Sequence, residues 1–169
     1  ETYLAVKGSG LDIKSVPSSA APWLRMRSDE GVFADNKVRL AFKKVQDRQK
    51  ALDAALLGLG TVGHDTLVSP AHPEYYPYDI PAYDPEGAKE LLKEAGYPDG
   101  IDVTLTTNSE SPESVAFAES YAESAKAAGI NITIEAIPGD AYWNVWTDIP
   151  LGITTWGHRP LGTQLLAEA

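Results

Sequence analysis

Residues 83–107, YDPEGAKELLKEAGYPDGIDVTLTT, read as helix, turn and strand. Asp84 is placed to accept hydrogen bonds from the free amides of a first helical turn. Pro85 fits the first helical position, where its missing N–H costs nothing, and Glu86 complements the positive helix end. Ala88, Leu91, Leu92 and Ala95 fall at i, i+3, i+4 and i+7, which gathers them on one face and leaves Lys89, Glu90, Lys93 and Glu94 on the other. Gly96 supplies a left-handed stop and Pro98-Asp99-Gly100 a turn. Ile101, Val103 and Leu105 then alternate with Asp102, Thr104 and Thr106, which predicts a strand with one buried face.

The pattern is repeated at once. Ser111-Pro112-Glu113 marks the start of a second helix carrying Val115, Ala118, Ala122 and Ala125, Gly129 ends it, and Ile130, Ile132 and Ile134 alternate beyond it. Two helix-glycine-strand units in succession predict parallel strands, because a parallel pair needs a crossover connection. The segments 101–107 and 131–137 are therefore expected side by side, with the second helix on one face. The fold class is α/β: a mainly parallel sheet flanked by helices.

The chain of 169 residues is 43% hydrophobic and 22% charged, which suits one domain with a real core. Its net charge of −10 argues against nucleic acid or an anionic membrane as partner, since both require a basic face. The absence of cysteine excludes disulfides, thiol nucleophiles and thiolate metal sites and leaves the redox compartment open. No segment approaches the roughly 20 apolar residues of a membrane span, and the first residues lack the pattern of an export signal.

Around the repeat, Thr2 to Val6, Asp12 to Val16 and Trp23 to Arg27 read as short extended pieces. Gly8-Ser9-Gly10 is composed like a linker, either a natural loop or an engineered joint between non-adjacent segments. Asp35 to Gln46 and Arg48 to Leu57 are predicted helices, with Asp47-Arg48 a local ion pair between them. Residues 58–82 show no periodicity; their prolines and Tyr75, Tyr76 and Tyr78 suggest a packed loop or an interaction surface. Gly58-Leu59-Gly60-Thr61-Val62-Gly63 spells a dinucleotide fingerprint but follows a helix and enters a proline-rich loop, so no cofactor is expected. His64, Asp65 and His72 match no metal-ligand spacing and are read as surface or structural, so no metal site is expected. No G-x-S-x-G motif anchors a hydrolase triad.

Residues 139–146 predict a short helix or turn rich in large aromatics, Leu151 to Trp156 a buried strand, and the residues from Gly162 onward a further helix. Tyr142, Trp143, Trp146, Trp156, His158 and Arg159 form either an aromatic core beside a surface Arg or the wall of a small-molecule pocket. Trp156 and Arg159 favour the pocket, because they stand at the carboxyl end of a predicted strand, where open α/β sheets place their ligand crevice.

Several stretches together resemble the extracytoplasmic solute-binding proteins of the oligopeptide, dipeptide and nickel family that serve ABC importers. They are Val16-Pro17-Ser18-Ser19 followed by Trp23-Leu24-Arg25-Met26, Asp35 to Ala41 running to Asp47-Arg48, Tyr83 to Gly100, and Trp156-Gly157. Members of that family have two lobes that close on the ligand, and this chain resembles one lobe, built from the middle of such a sequence. The resemblance implies a periplasmic or extracytoplasmic receptor, membrane-associated as a lipoprotein in a Gram-positive organism. It captures a small or peptide-like solute between this lobe and a second and hands it to an ABC permease, as a monomer and without catalysis. It places Trp156, Gly157, His158, Arg159, Trp23, Arg27, Tyr142 and Trp146 at the ligand. Peptide-binding members carry, three positions after the strand-ending Trp, an Asp that takes the peptide's amino terminus. Arg159 stands there in this chain, and a cation does not serve an ammonium group, so an anionic solute gains ground. The competing expectations are a small α/β enzyme acting on an anionic substrate through Arg159 and His158, and an interaction module presenting the Tyr75 to Tyr78 loop.

Overall fold

The computed structural model describes residues 2–168, with side chains from Tyr3 to Ala167. Four strands, β1 (Ala21–Met26), β2 (Ile101–Asn108), β3 (Ile130–Ile137) and β4 (Leu151–Trp156), form one sheet in the order β1-β4-β2-β3. β2 runs parallel to β3 and β4, whereas β1 is antiparallel to β4 at one edge. The α/β class and the pairing of the two repeat strands are as the sequence predicts.

The helices are α1 (Thr2–Val6), α2 (Asn36–Lys44), α3 (Arg48–Leu56), α4 (Pro85–Glu94), α5 (Pro112–Ala125), α6 (Gly139–Val145) and α7 (Gly162–Glu168). α5 lies across the sheet and touches all four strands; α3 packs on α5, and α2 packs on α4. The core between these layers includes Phe33, Val38, Phe42, Leu92, Leu105, Phe117, Tyr121, Ile130, Leu151 and Ile153. Burying each such side chain is worth about 1.5–3 kcal/mol before entropy is counted.

The repeat forms as its residues dictate. The Asp84 carboxylate caps α4 by accepting from Gly87 N–H at 2.9 Å, and Ala88 and Leu92 are buried. The two units meet at their glycines: Ile101 N–H donates to the Gly129 carbonyl at 3.0 Å, and a Cβ on Gly100 would sit 2.2 Å from that carbonyl oxygen. Gly100 (φ +96) and Gly129 (φ +77) are both left-handed, so neither position suits a side chain. In α5 the stripe differs from the expected one: Phe117 and Tyr121 join Ala118, Ala122 and Ala125 in burial, while Val115 is only half-buried. The Ser111 hydroxyl donates to the Ser114 hydroxyl at 2.7 Å rather than capping an amide. In β2 the alternation stops at Thr106 and Thr107, both buried. β4 joins the sheet there, at Thr106↔Gly152, and α6 packs on the second face, so both faces are covered.

Two expectations for the first residues are corrected. Thr2–Val6 is helical, closed by Lys7 N–H to the Tyr3 carbonyl at 2.9 Å, and residues 12–16 form no strand. Neither run has a ladder partner among the described strands, and an extended segment without one leaves its backbone groups unpaired. Arg48 does not pair with Asp47 either. Asp47 caps α3 at Lys50 N–H (3.1 Å), whereas the Arg48 guanidinium turns inward to Asp65 (2.7 Å) and the Pro81 carbonyl (2.9 Å).

Candidate ligand-binding site

Strand alternation sorts β1 and β4 into two faces. Trp23 pairs with Thr154, Arg25 with Gly152 and Ala21 with Trp156, and partners in an antiparallel ladder project to the same side. Leu24, Met26, Leu151 and Ile153 project to the other side, into the core. The first face meets α6. Tyr142, buried, donates its hydroxyl to the Ile153 carbonyl at 2.5 Å, and burial pushes its phenol above the usual range. The Trp146 indole N–H donates to Thr154 Oγ1 at 2.7 Å. The Arg25 guanidinium lies over the Trp146 ring at 4.9 Å and donates through Nη2 to the Trp146 carbonyl. Gly152 makes this closeness feasible, since a Cβ there would lie 3.3 Å from the Tyr142 hydroxyl.

Past Trp156 the chain is held by its backbone. The Ser19 N–H donates to His158 Nδ1 at 3.2 Å, which places the ring proton on Nε2. The Ser19 hydroxyl then donates to the Arg159 carbonyl (3.0 Å) while accepting the Arg159 N–H (3.1 Å). His72, 3% exposed, completes the clamp: its Nδ1 accepts from Ser69 N–H at 2.8 Å, leaving Nε2–H to donate to the same carbonyl at 3.1 Å. His64 is buried in the same manner, accepting the Tyr75 hydroxyl at Nδ1 (3.2 Å) and reaching the Tyr78 carbonyl through Nε2. His64 and His72, buried with both ring nitrogens engaged, are structural. The Arg159 side chain turns back to the His158 carbonyl at 3.2 Å.

The structure thus brings Trp23, Tyr142, Trp146 and Trp156 to one face, with Gly157, His158 and Arg159 at its end. Arg27 lies elsewhere. It follows Met26, which pairs with Leu151 at the far end of β4, and it is engaged by Asp29 (2.9 Å), Glu30 (3.1 Å) and Asp148 (3.7 Å). The guanidinium of Arg27 in turn holds the Asp29 carboxyl below the usual carboxylate range. Two features escaped the sequence reading. Arg25 occupies the aromatic face in place of Arg27; the alternation Trp23-Arg25-Arg27 carried that signal but did not distinguish the two. A hydroxyl row, Ser111 to Ser114 (2.7 Å) to Thr155 (3.2 Å), lies on the opposite face near the same carboxyl edge.

A depression of about 1330 Å³ lies between residues 15–24, α2, α3 and residues 59–71. Its charged groups are satisfied within it: Asp65 takes Arg48 at 2.7 Å and Lys43 at 3.3 Å, and Arg39 holds the Phe33 and Ala34 carbonyls. With these charged groups already engaged, the aromatic edge of β1 and β4 is the better candidate.

The sequence profile of the bacterial extracellular solute-binding proteins, family 5 (middle region), matches residues 3–164. The chain belongs to this family. The glutathione-binding protein GsiB of Salmonella typhimurium is 34% identical over 105 residues, which cover 62% of this chain and 20% of that protein. The chain therefore spans about a fifth of the length of the curated relatives it matches. Among solved structures, NikZ from Campylobacter jejuni in complex with Ni(L-His) superposes with a TM-score of 0.78 at 21% identity, over 95% of this chain and 34% of NikZ. AppA from Bacillus subtilis in complex with a nonapeptide gives a TM-score of 0.75 at 23% identity, over 92% of this chain and 34% of AppA. Both likenesses establish the fold of this family 5 chain.

Proposed function

We propose that this family 5 chain is one lobe of an extracytoplasmic receptor that captures a small solute and delivers it to an ABC importer. The supporting observation is the end of β4. Trp156 stands at the carboxyl edge of the sheet, and Gly157 to Arg159 are fixed there by Ser19 and His72 rather than left as a free loop. A rigid edge with aromatic walls and a cation suits a solute that is peptide-like or anionic. The second lobe closes over this edge, the receptor is monomeric, and it works outside the cytoplasmic membrane. His158 Nδ1 and the Ser19 hydroxyl are taken up in fixing backbone, so the assignment is binding without turnover.

A clamshell gains affinity by desolvating the solute from both sides, and one lobe leaves a charged contact open to water. Arg159→Ala should therefore cost about 2–5 kcal/mol in the two-lobed receptor and about 0–1 kcal/mol in this chain. Calorimetry on both, with glutathione, a tripeptide and nickel–histidine as probes, measures this. Equal affinity in chain and receptor, or a receptor indifferent to Arg159→Ala, would remove Arg159 from the ligand wall.

A further inference from the structure

We propose that Arg25, seated on the Trp146 ring at the α6 face of β1, receives a carboxylate of the captured solute. The proposal deepens the lobe reading above and rests on it. Among the described residues no carboxylate lies within 4.0 Å of Arg25, although the chain holds 24 acidic residues against 14 Lys and Arg. The contrast with its neighbours is direct: Arg27 has three acids around it and Arg48 has Asp65.

The three nitrogens of Arg25 have three different situations. Nε is buried without a partner, Nη2 donates to the Trp146 carbonyl, and Nη1 has no partner and is not shut away from solvent. A guanidinium presents five N–H donors in a rigid fork, so fixing one end aims the other. Trp146 beneath it and the carbonyl beside it hold the plane. Partial burial lowers the pKa of Arg25, but the group stays a cation, so a half-desolvated positive charge without counter-ion is built into the face. Trp23, half-buried and two positions along the same face, supplies an apolar wall. A planar anion bound end-on is the complement of this arrangement: a carboxylate satisfies Nη1 and the remaining Nη2 proton together. Chloride is a single sphere and cannot offer two separate acceptor atoms to match the fork's parallel donors.

Nuclear magnetic resonance titration of this chain with acetate, against chloride at equal ionic strength, tests the proposal. The expected result is a saturable shift of the Arg25 Nε–H and Trp146 indole resonances with acetate alone. Arg25→Lys should weaken the response roughly tenfold, because the fork is lost but the charge is kept, and Arg25→Gln should abolish it with the remaining amide spectrum intact. Equal shifts with chloride, no saturable shift, or a response that survives in Arg25→Gln would overturn it. So would an Arg25 signal in the two-lobed receptor that is already displaced and indifferent to acetate, which would mean that an acidic side chain of that protein occupies the fork. Retained capture by the Arg25→Gln receptor defeats this inference and leaves the lobe reading standing. Indifference to Arg159→Ala removes Arg159 from the ligand wall and does not touch the Arg25 inference.

Discussion

Residues 84–137 and residues 58–82 are both ordered parts of one small lobe, and they are held by different forces. The first region is two helix-glycine-strand units whose apolar faces close on each other: Leu92, Leu105, Phe117 and Ile130 are all 5% exposed or less. The second region has almost no apolar stripe and is tied down by single polar side chains reaching distant backbone. His72 holds the Arg159 carbonyl, His64 the Tyr78 carbonyl, and Arg48 the Pro81 carbonyl. Burial of apolar area is non-directional and shared among many neighbours, whereas a hydrogen bond to one carbonyl acts at one point. Damage to the first region should spread through the lobe; damage to the second should stay local.

The largest effect tests the first half of that contrast. Leu105→Ala removes a fully buried side chain between α5 and the sheet and should cost about 2–5 kcal/mol of global stability, read as a lowered urea midpoint with an unchanged slope. A cost below about 1 kcal/mol would mean that the repeat is not where the lobe's stability is concentrated.

The same contrast explains what was legible. Each repeat unit announces itself within a single window, since cap, stripe, glycine and alternation are local, and the parallel pairing of β2 with β3 follows from the units being adjacent. Phe117 and Tyr121 were missed because the alanines of α5 suggested a stripe offset from the real one, and the Tyr121 hydroxyl bond to the Phe42 carbonyl (2.8 Å) links residues 79 positions apart. The candidate site was half legible. Trp23, Trp146 and Trp156 do share a face, because period-2 alternation and the strand-end rule are sequence properties. Which arginine joins them was not, since alternation alone puts Arg25 and Arg27 on one face, whereas in the fold β1 ends at Met26 and Asp29, Glu30 and Asp148 settle around Arg27 alone. The clamp of Ser19, His72 and Arg159 spans 140 positions and leaves no periodic trace.

A middle-sized effect probes the second region. His72→Leu keeps the volume near the site but leaves the Arg159 carbonyl and the Ser69 amide each without its imidazole partner, a penalty of about 1–3 kcal/mol. If the loop is anchored point by point, hydrogen exchange should accelerate across residues 64–78 and at Arg159, while amides of β2 and β3 keep their protection. Uniform acceleration through the sheet would erase the distinction between the two regions.

The smallest effect lies where the regions join, at Asp84. Its N–H donates to the Lys44 carbonyl at 2.9 Å and its carboxylate accepts from Lys44 Nζ at 2.5 Å and from Gly87 N–H at 2.9 Å, so one residue ends the loop, starts α4 and ties both to α2. The Lys44 ammonium, followed by the Gly87 amide, holds the Asp84 carboxyl below the usual carboxylate range. A depressed carboxyl binds its proton less readily in the folded chain than in the unfolded one. Its contribution is therefore complete at neutral pH, begins to fall as pH drops into the ordinary carboxylate range, and is gone below the lowered folded value. The side chain is exposed, so salt screens much of this. Stability measured from neutral pH downward should show a shallow acid limb that Lys44→Met flattens and that added salt flattens equally in the parent chain. An acid limb unchanged by Lys44→Met would place the proton uptake on another carboxylate and detach Asp84 from the junction.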